Sequence, residues 1–195
     1  MTGSAQSGRI VIVSGPSGAG KSTVLRRLLD QAPWPLALSV SATTRSPRPG
    51  ERDGVDYYFL SKDDFAARRA RDEFLEWKEV FGRGDWYGTL WSQVTTGLQQ
   101  GKWLILEIDV AGAMTVVERY PDAITIFLHP GSIDELERRL RGRGTESAES
   151  LQRRLEVARQ EIEYLPRYQH SVVNDDPDRS AQEIIGLLRQ YAGST

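Results

Sequence analysis

Gly15-Pro16-Ser17-Gly18-Ala19-Gly20-Lys21-Ser22 is the stretch that decides how this chain is read. It follows the apolar run Ile10-Val11-Ile12-Val13 and precedes the helix-like Thr23-Val24-Leu25-Arg26-Arg27-Leu28-Leu29. Strand, glycine loop and helix in that order turn G-x-x-x-x-G-K-[ST] from a text match into a phosphate-binding loop. Glycines let the backbone wrap an anion, so that successive N–H groups and the helix N-terminus point at phosphate. Gly15 to Ser22, with Thr23, are therefore candidate nucleotide contacts. Lys21 would reach the β- and γ-phosphates, and the Ser22 hydroxyl would ligate Mg2+. A glycine turn with an incidental lysine is the alternative, and it leaves the flanks unexplained. The chain is expected to bind a nucleoside triphosphate.

The 195 residues, 39% hydrophobic and 27% charged, suit one compact α/β domain. No apolar run approaches the ~18 residues that span a bilayer. Met1 to Gly8 lacks a basic region and an apolar core, so it reads as a short flexible tail and not as a secretory signal. The absence of cysteine removes disulfides and thiol chemistry, and a cytoplasmic location is expected. A net charge of −2 gives no basic field, so neither nucleic acid nor a membrane is an expected partner. Nothing in the sequence chooses between monomer and homo-oligomer. Only Lys21, Lys62, Lys78 and Lys102 are lysines, against 21 arginines. Arginine forks suit phosphate oxygens, but a GC-rich coding bias gives the same excess, so position has to decide which arginines matter.

Along the chain, strand and helix patterns alternate, which argues for a parallel sheet with helices on both faces. Strands are expected at 9–14, 36–41, 102–109, 123–128 and 171–173. Helices are expected at about 21–31, 111–119, 133–141, 149–165 and 179–191. Two stretches break the rhythm. From Thr43 to about Leu90 the chain is rich in Arg, Gly, Pro, Tyr and Trp, with strand-like pieces at 57–60 and 73–77, and it reads as a small inserted module. Arg141 to Glu149 interrupts a helix pattern with glycines flanked by arginines, which reads as a closing lid or as a plain helix connection.

Arg45 and Arg48 lie in the proline-stiffened Thr43-Thr44-Arg45-Ser46-Pro47-Arg48-Pro49-Gly50-Glu51, just after a strand. Strand C-termini in parallel sheets border ligand crevices, so the pair could clamp a second phosphate; a solvated charged turn is the alternative. The insert adds Tyr57, Glu76, Tyr87 and Thr89. An acid can accept from the adjacent N1 and N2 donors of guanine, which adenine lacks. Nothing in spacing alone makes Glu76 that acid. Glu107 and Asp109 close the third core strand on one face, where an acid organises Mg2+ or caps the next helix. His129 and His170 lie far apart, form no metal cluster, and are expected to be structural, while Trp34, Trp77, Trp86, Trp91 and Trp103 are expected to pack core or sheet.

With these motifs together, the chain resembles guanylate kinases of the bacterial type from about Gly8 to Tyr191. The marks are Gly15–Ser22, Ser39 to Glu51, Asp56-Tyr57-Tyr58-Phe59, Phe74-Leu75-Glu76-Trp77 and Tyr87-Gly88-Thr89. Leu106-Glu107-Ile108-Asp109, Gly142-Arg143-Gly144-Thr145-Glu146 and Val173-Asn174-Asp175-Asp176 continue them in family order. The resemblance implies the P-loop nucleoside-monophosphate-kinase fold: a tail at 1–8, then one domain at 9–195. In that domain the core would be 9–42 and 91–195, the GMP-binding module about 43–90 and the lid about 141–155. It implies Mg2+-dependent transfer of the ATP γ-phosphoryl group to GMP or dGMP. By the same analogy Arg45, Arg48, Tyr57 and Tyr87 hold the GMP phosphate, and Glu51 orients the arginine loop. Ser41, Glu76 and Thr89 read guanine, with Asp109 at its amino edge and Glu107 near acceptor and metal. Arg139, Arg143 and Arg154 would close on the transferring group with Lys21, and Asn174 would contact adenine. Val110-Ala111, Leu90 and the segment Phe81 to Trp86 depart from the family pattern. A protein-binding scaffold module would have lost the intact Gly15–Ser22 loop, and a sugar-phosphate kinase would not need Ser41, Glu76 and Thr89.

Overall fold

The computed structural model describes residues 8–80, 84–142 and 148–192. In chain order the elements are β1 (Arg9–Ser14), α1 (Lys21–Gln31), β2 (Leu36–Leu38), β3 (Ala42–Thr43), β4 (Tyr58–Phe59) and α2 (Lys62–Ala70). They continue with β5 (Phe74–Val80), β6 (Asp85–Leu90), α3 (Trp91–Gln99), β7 (Trp103–Glu107) and α4 (Val110–Arg119). The chain ends with β8 (Ile124–His129), α5 (Ile133–Arg141), α6 (Ala148–Ile162), β9 (His170–Val173) and α7 (Pro177–Ala192). A five-stranded sheet has the order β2-β7-β1-β8-β9, and a four-stranded sheet has the order β4-β3-β6-β5. The β2–β7, β1–β8 and β8–β9 pairs are parallel. The inner strands β7, β1 and β8 are mainly apolar on both faces, as a covered parallel sheet requires: Val11, Ile12, Val13, Ile105, Ile124, Ile126 and Phe127 are fully buried.

The strand expected at 36–41 divides between the two sheets. β2 stops at Leu38, and the Ser39 N–H makes a last bond to the Ile105 carbonyl at 2.9 Å. Two residues on, the Ser41 carbonyl already accepts from the Tyr58 N–H at 2.9 Å, so the chain has crossed to the second sheet. β7 ends at Glu107, not Asp109. Asp109 turns its side chain to the Gly112 N–H at 2.8 Å and its carbonyl to the Ala113 N–H, capping α4. α7 begins two residues earlier than expected, because Asp176 Oδ1 caps the Arg179 N–H and Pro177 suits the first turn. Among the described residues, β3, α2, α3 and β6 had not been expected. The tryptophans are also less uniform than expected. Trp103 is core, but Trp77 is 44% exposed.

The chain divides into two compact units. One contains Leu36–Leu106, Met114–Ala123 and the chain up to Ile10. Its β5–β6 ladder pairs Glu76 with Thr89 and Lys78 with Tyr87. Ala42, Phe65, Phe74 and Leu90 form a small core there, with the Phe65 and Phe74 rings stacked at 4.4 Å. The other unit contains Val11–Pro35, Glu107–Ala113 and the chain from Ile124 onward. In it α1 buries Val24, Leu25 and Leu28, and runs along α7, which buries Ile184, Ile185 and Leu188. Truncating one such leucine to alanine would cost about 2–5 kcal/mol. α5 and α6 close a further cluster of Leu136, Leu140, Leu151, Leu155 and Ala158. Among the described residues no helix is long and apolar enough to cross a membrane.

Candidate functional site

The glycine loop joins β1 to α1. Gly15 has φ +146°, and a Cβ there would overlap the Leu128 carbonyl oxygen. A glycine is therefore required where the loop leaves the sheet. Lys21 opens α1 and folds back: its Nζ donates to the Gly15 carbonyl at 2.6 Å and the Pro16 carbonyl at 3.2 Å. Burial pulls this amine below the usual 10.5, while the charges of Glu107, Glu161 and Asp109 oppose that shift. The Ser22 hydroxyl donates to Glu107 Oε1 at 2.8 Å. A hydroxyl and a carboxylate oxygen adjoin there, at the mouth of the helix. Thr23 is exposed on the first turn of α1.

Two arginines from later helices reach this unit's polar framework. Arg154 of α6 donates to Ser17 Oγ at 2.8 Å. Arg139 of α5 bonds Glu135 Oε1 and the Asn174 carbonyl, each at 2.7 Å. Arg138 and Arg139 hold the Glu135 carboxyl at about 2. Asn174 is buried, with its amide nitrogen on the Ala19 carbonyl at 2.7 Å. Arg143 lies outside the described residues. Glu161 and Tyr168 join this framework without having been expected from the sequence. Burial, with the charges of Asp109 and Glu161, pushes the Tyr168 phenol up to about 12, and Ser14 opposes that rise. A signal existed for Glu161, because it follows Arg154 by seven residues, two helical turns along the same face.

In the first unit, Arg45 is enclosed. Its Nε donates to the Tyr87 hydroxyl at 3.1 Å, and its two terminal nitrogens reach Glu51 at 2.9 Å each. The guanidinium also lies 5.4 Å from the Tyr57 ring centroid. The Glu51 carboxyl is drawn below its usual 4.5 chiefly by Arg45, then by the Arg48 backbone N–H, which donates to it at 2.7 Å. The Arg48 side chain is exposed. Glu76 is buried and accepts from the Thr89 hydroxyl at 2.7 Å, across the register that pairs them. Tyr57 and Tyr87 meet edge to face at 5.8 Å. Ser41 is half-buried at the crossing between sheets. This unit thus gathers two arginines, two tyrosines and a buried acid–hydroxyl pair, a set suited to an anion beside a hydrogen-bonding ring.

His129 and His170 have the structural surroundings expected of them. The Gly131 N–H donates to His129 Nδ1 at 3.2 Å, which leaves Nε2 to face Ser171 Oγ at 3.0 Å. His170 Nε2 meets the Tyr191 hydroxyl at 2.7 Å.

The family model described as guanylate kinase matches residues 7–191. A guanylate kinase of Rhodopirellula baltica is 56% identical over 192 residues, covering 98% of this chain and 92% of that protein. One from Rubrobacter xylanophilus is 48% identical, covering 94% of each. The crystal structure of guanylate kinase from Anaplasma phagocytophilum superposes with a TM-score of 0.79 at 32% identity, over 97% of this chain and 89% of that one. With glycine loop, fold and near full-length similarity in agreement, this chain belongs to the guanylate kinase family.

Proposed function

We propose that this chain carries out the reaction of its family, transfer of the ATP γ-phosphoryl group to GMP, and to dGMP, giving ADP and GDP. A GMP phosphate oxygen attacks the γ-phosphorus, and the bond from that phosphorus to the β–γ bridging oxygen breaks. The acceptor is already an anion, so no strong base is needed. The difficulty is holding two anions in line.

The observation that carries the acceptor assignment is the buried Glu76–Thr89 pair, 2.7 Å apart in the unit that also holds Arg45 and Arg48. A carboxylate fixed by a neighbouring hydroxyl suits the paired N–H donors of guanine, and Ser41 with Asp109 would complete that recognition. Arg45, Arg48, Tyr57 and Tyr87 take the acceptor phosphate, with Glu51 orienting the arginines. Gly15 to Thr23 cradle the donor phosphates. Lys21, Arg139, Arg143 and Arg154 neutralise charge on the transferring group.

Among the described residues no cluster of three or more metal-binding side chains exists. Ser22 beside Glu107 instead supplies hard oxygens of the kind that suit Mg2+ whose other ligands are phosphate oxygens and water. When bound, Mg2+ would supply neutralisation of donor-phosphate charge. Ser22 would ligate it, and Glu107 would orient that hydroxyl or a metal-bound water. The segment at 141–155, of which residues 143–147 lie outside the described residues, would close to exclude water and so suppress ATP hydrolysis. The core at 9–42 and 91–195, the module at 43–90 and a cytoplasmic location belong to the same reading.

The test is ADP formation from Mg-ATP with GMP, dGMP, AMP, CMP, UMP or ribose 1,5-bisphosphate as acceptor. Turnover with GMP alone among the ribonucleotides is expected. Preference for another acceptor would overturn the roles of Glu76 and Thr89.

A further inference from the structure

Asn174 directly follows β9, is only 3% exposed, and has all of its polar groups engaged by the protein. Its backbone N–H donates to the His129 carbonyl at 2.7 Å, and its carbonyl accepts from Arg139 at 2.7 Å. In the side chain, Nδ2 donates to the Ala19 carbonyl at 2.7 Å, while Oδ1 shares the single Ser180 hydroxyl proton with the Val173 carbonyl, each 3.2 Å from that oxygen. The Ala19 carbonyl can only accept, so the amide has one possible orientation, with its nitrogen on the loop.

The partner is the middle of the glycine loop. Ala19 is fully buried, and its N–H donates to the Pro16 carbonyl at 3.0 Å. Gly20 has φ +88°, and a Cβ there would stand 2.5 Å from Asn174 Nδ2. Loop and amide are thus fitted to each other without room for a methyl group. The Ala19 carbonyl and the Gly20 N–H belong to one planar trans peptide, in which they point in opposite directions. Holding the carbonyl on Asn174 therefore aims the Gly20 N–H away from Asn174. A phosphate-binding loop holds its anion in the concavity that its backbone N–H groups face, and fixing this peptide fixes one of those groups.

We propose that Asn174 is a positioning residue for the donor phosphates, fixing the Ala19–Gly20 peptide so that the Gly20 N–H is pre-aimed at the anion. It acts through the loop backbone, by its bond to the Ala19 carbonyl. The inference rests on the reading of Gly15–Ser22 as the donor site. Ser180 supports the device by holding the far end of the amide.

The experiment compares wild type, Asn174→Asp and Ser180→Ala in calorimetric binding of ATP and of inorganic tripolyphosphate, with the KM for GMP measured alongside. Aspartate keeps the shape but, ionised, offers no proton to the Ala19 carbonyl. Expected for Asn174→Asp is an equal weakening of ATP and tripolyphosphate, about tenfold for one lost buried hydrogen bond, with the GMP KM unchanged. Ser180→Ala should weaken both in the same ratio but by less, and it carries the comparison if the aspartate variant does not fold. Loss of ATP binding with tripolyphosphate unaffected would overturn the proposal, because the amide would then be reading the base. No weakening of either ligand, or a wild type that does not bind tripolyphosphate, would also overturn it. Wild-type turnover with GMP is scored separately: its absence defeats the kinase reading, and the binding ratios still judge Asn174.

Discussion

The Glu51 carboxylate grips the Arg45 guanidinium through two parallel hydrogen bonds, NH1 to Oε2 and NH2 to Oε1, both 2.9 Å long. The Ser46 carbonyl takes a second proton of NH1, and the Tyr87 hydroxyl takes that of Nε. A guanidinium has five N–H donors, so these bonds use four, and the proposed function assigns the remaining NH2 proton to the acceptor phosphate. Arg45 is fixed in place and partly neutralised, whereas the Arg48 side chain is exposed. Geometry and charge then make opposite demands on Glu51. If charge dominated, Glu51→Gln would tighten GMP by removing a negative neighbour. If the grip dominates, as these four bonds argue, the variant should raise the KM for GMP about tenfold and leave that for ATP unchanged. Steady-state kinetics with each substrate varied decides the sign.

The strand register sets the Thr89 hydroxyl against buried Glu76, to which it donates. Thr89→Val keeps the shape and removes that donor. A buried acceptor that loses a partner costs about 1–3 kcal/mol, so the melting temperature should fall by several degrees. The KM for GMP should rise as well, because the carboxylate loses one of the contacts that hold it. Unchanged melting and unchanged KM together would mean the pair is incidental. Glu76→Gln tests the ring recognition more directly: kcat/KM for GMP should fall about a hundredfold, with ATP affinity kept.

How much of this was legible in the sequence depends on the range of the interaction. Gly15 to Ser22 announced loop, flanking strand and helix, because those contacts are local. The parallel core was legible from apolar runs such as Ile124 to Leu128, which need no knowledge of their partners. Ser39 to Ser41 misled, because nothing local tells a strand to leave one sheet for another; the bond from Tyr58 does that. β6 was missed although Asp85-Trp86-Tyr87-Gly88-Thr89-Leu90 has aromatic and β-branched content. It is stabilised by pairing with β3 and β5, including residues 42 positions away. α2 carried a readable start, Ser61 capping the Asp64 N–H, within the stretch read only as a small inserted module with strand-like pieces. For the site, the resemblance anticipated Glu51 at the arginine loop, but the bonds of Asn174 to Ala19 and of Arg154 to Ser17 were not legible, because they join residues more than 130 positions apart.

Gly15 offers a test of the loop's backbone demands. Its φ of +146° and the close approach of the Leu128 carbonyl leave no position for a methyl group, and the obstacle is backbone in a central strand. Gly15→Ala must therefore displace the loop or the strand. A loss of roughly 3 kcal/mol or more is expected, read as a shift in the urea midpoint, with ATP binding lost in whatever fraction still folds. Gly50 also has positive φ, at +88°, but nothing lies within 4 Å of a Cβ there. Gly50→Ala should therefore cost far less, and equal destabilisation by the two would refute the steric account.

The two histidines set the response to mild acid. Burial holds both His129 and His170 below the usual 6.5, so each stays neutral in the fold to a lower pH than in the unfolded chain. As pH drops through 6.5 the unfolded chain takes up protons first, and stability is lost until the folded-state values are passed. The depressed carboxylates Glu51, Glu73 and Glu135 work in the same direction, but only below about 4.5, where an unfolded carboxyl begins to protonate. The interval from pH 7 to 5.5 therefore belongs to the histidines. Melting temperature should decline across it in wild type and remain nearly level in a His129→Asn, His170→Gln double variant, whose side chains keep polar partners without titrating. A wild-type profile already level across that interval would show that neither imidazole resists protonation in the fold.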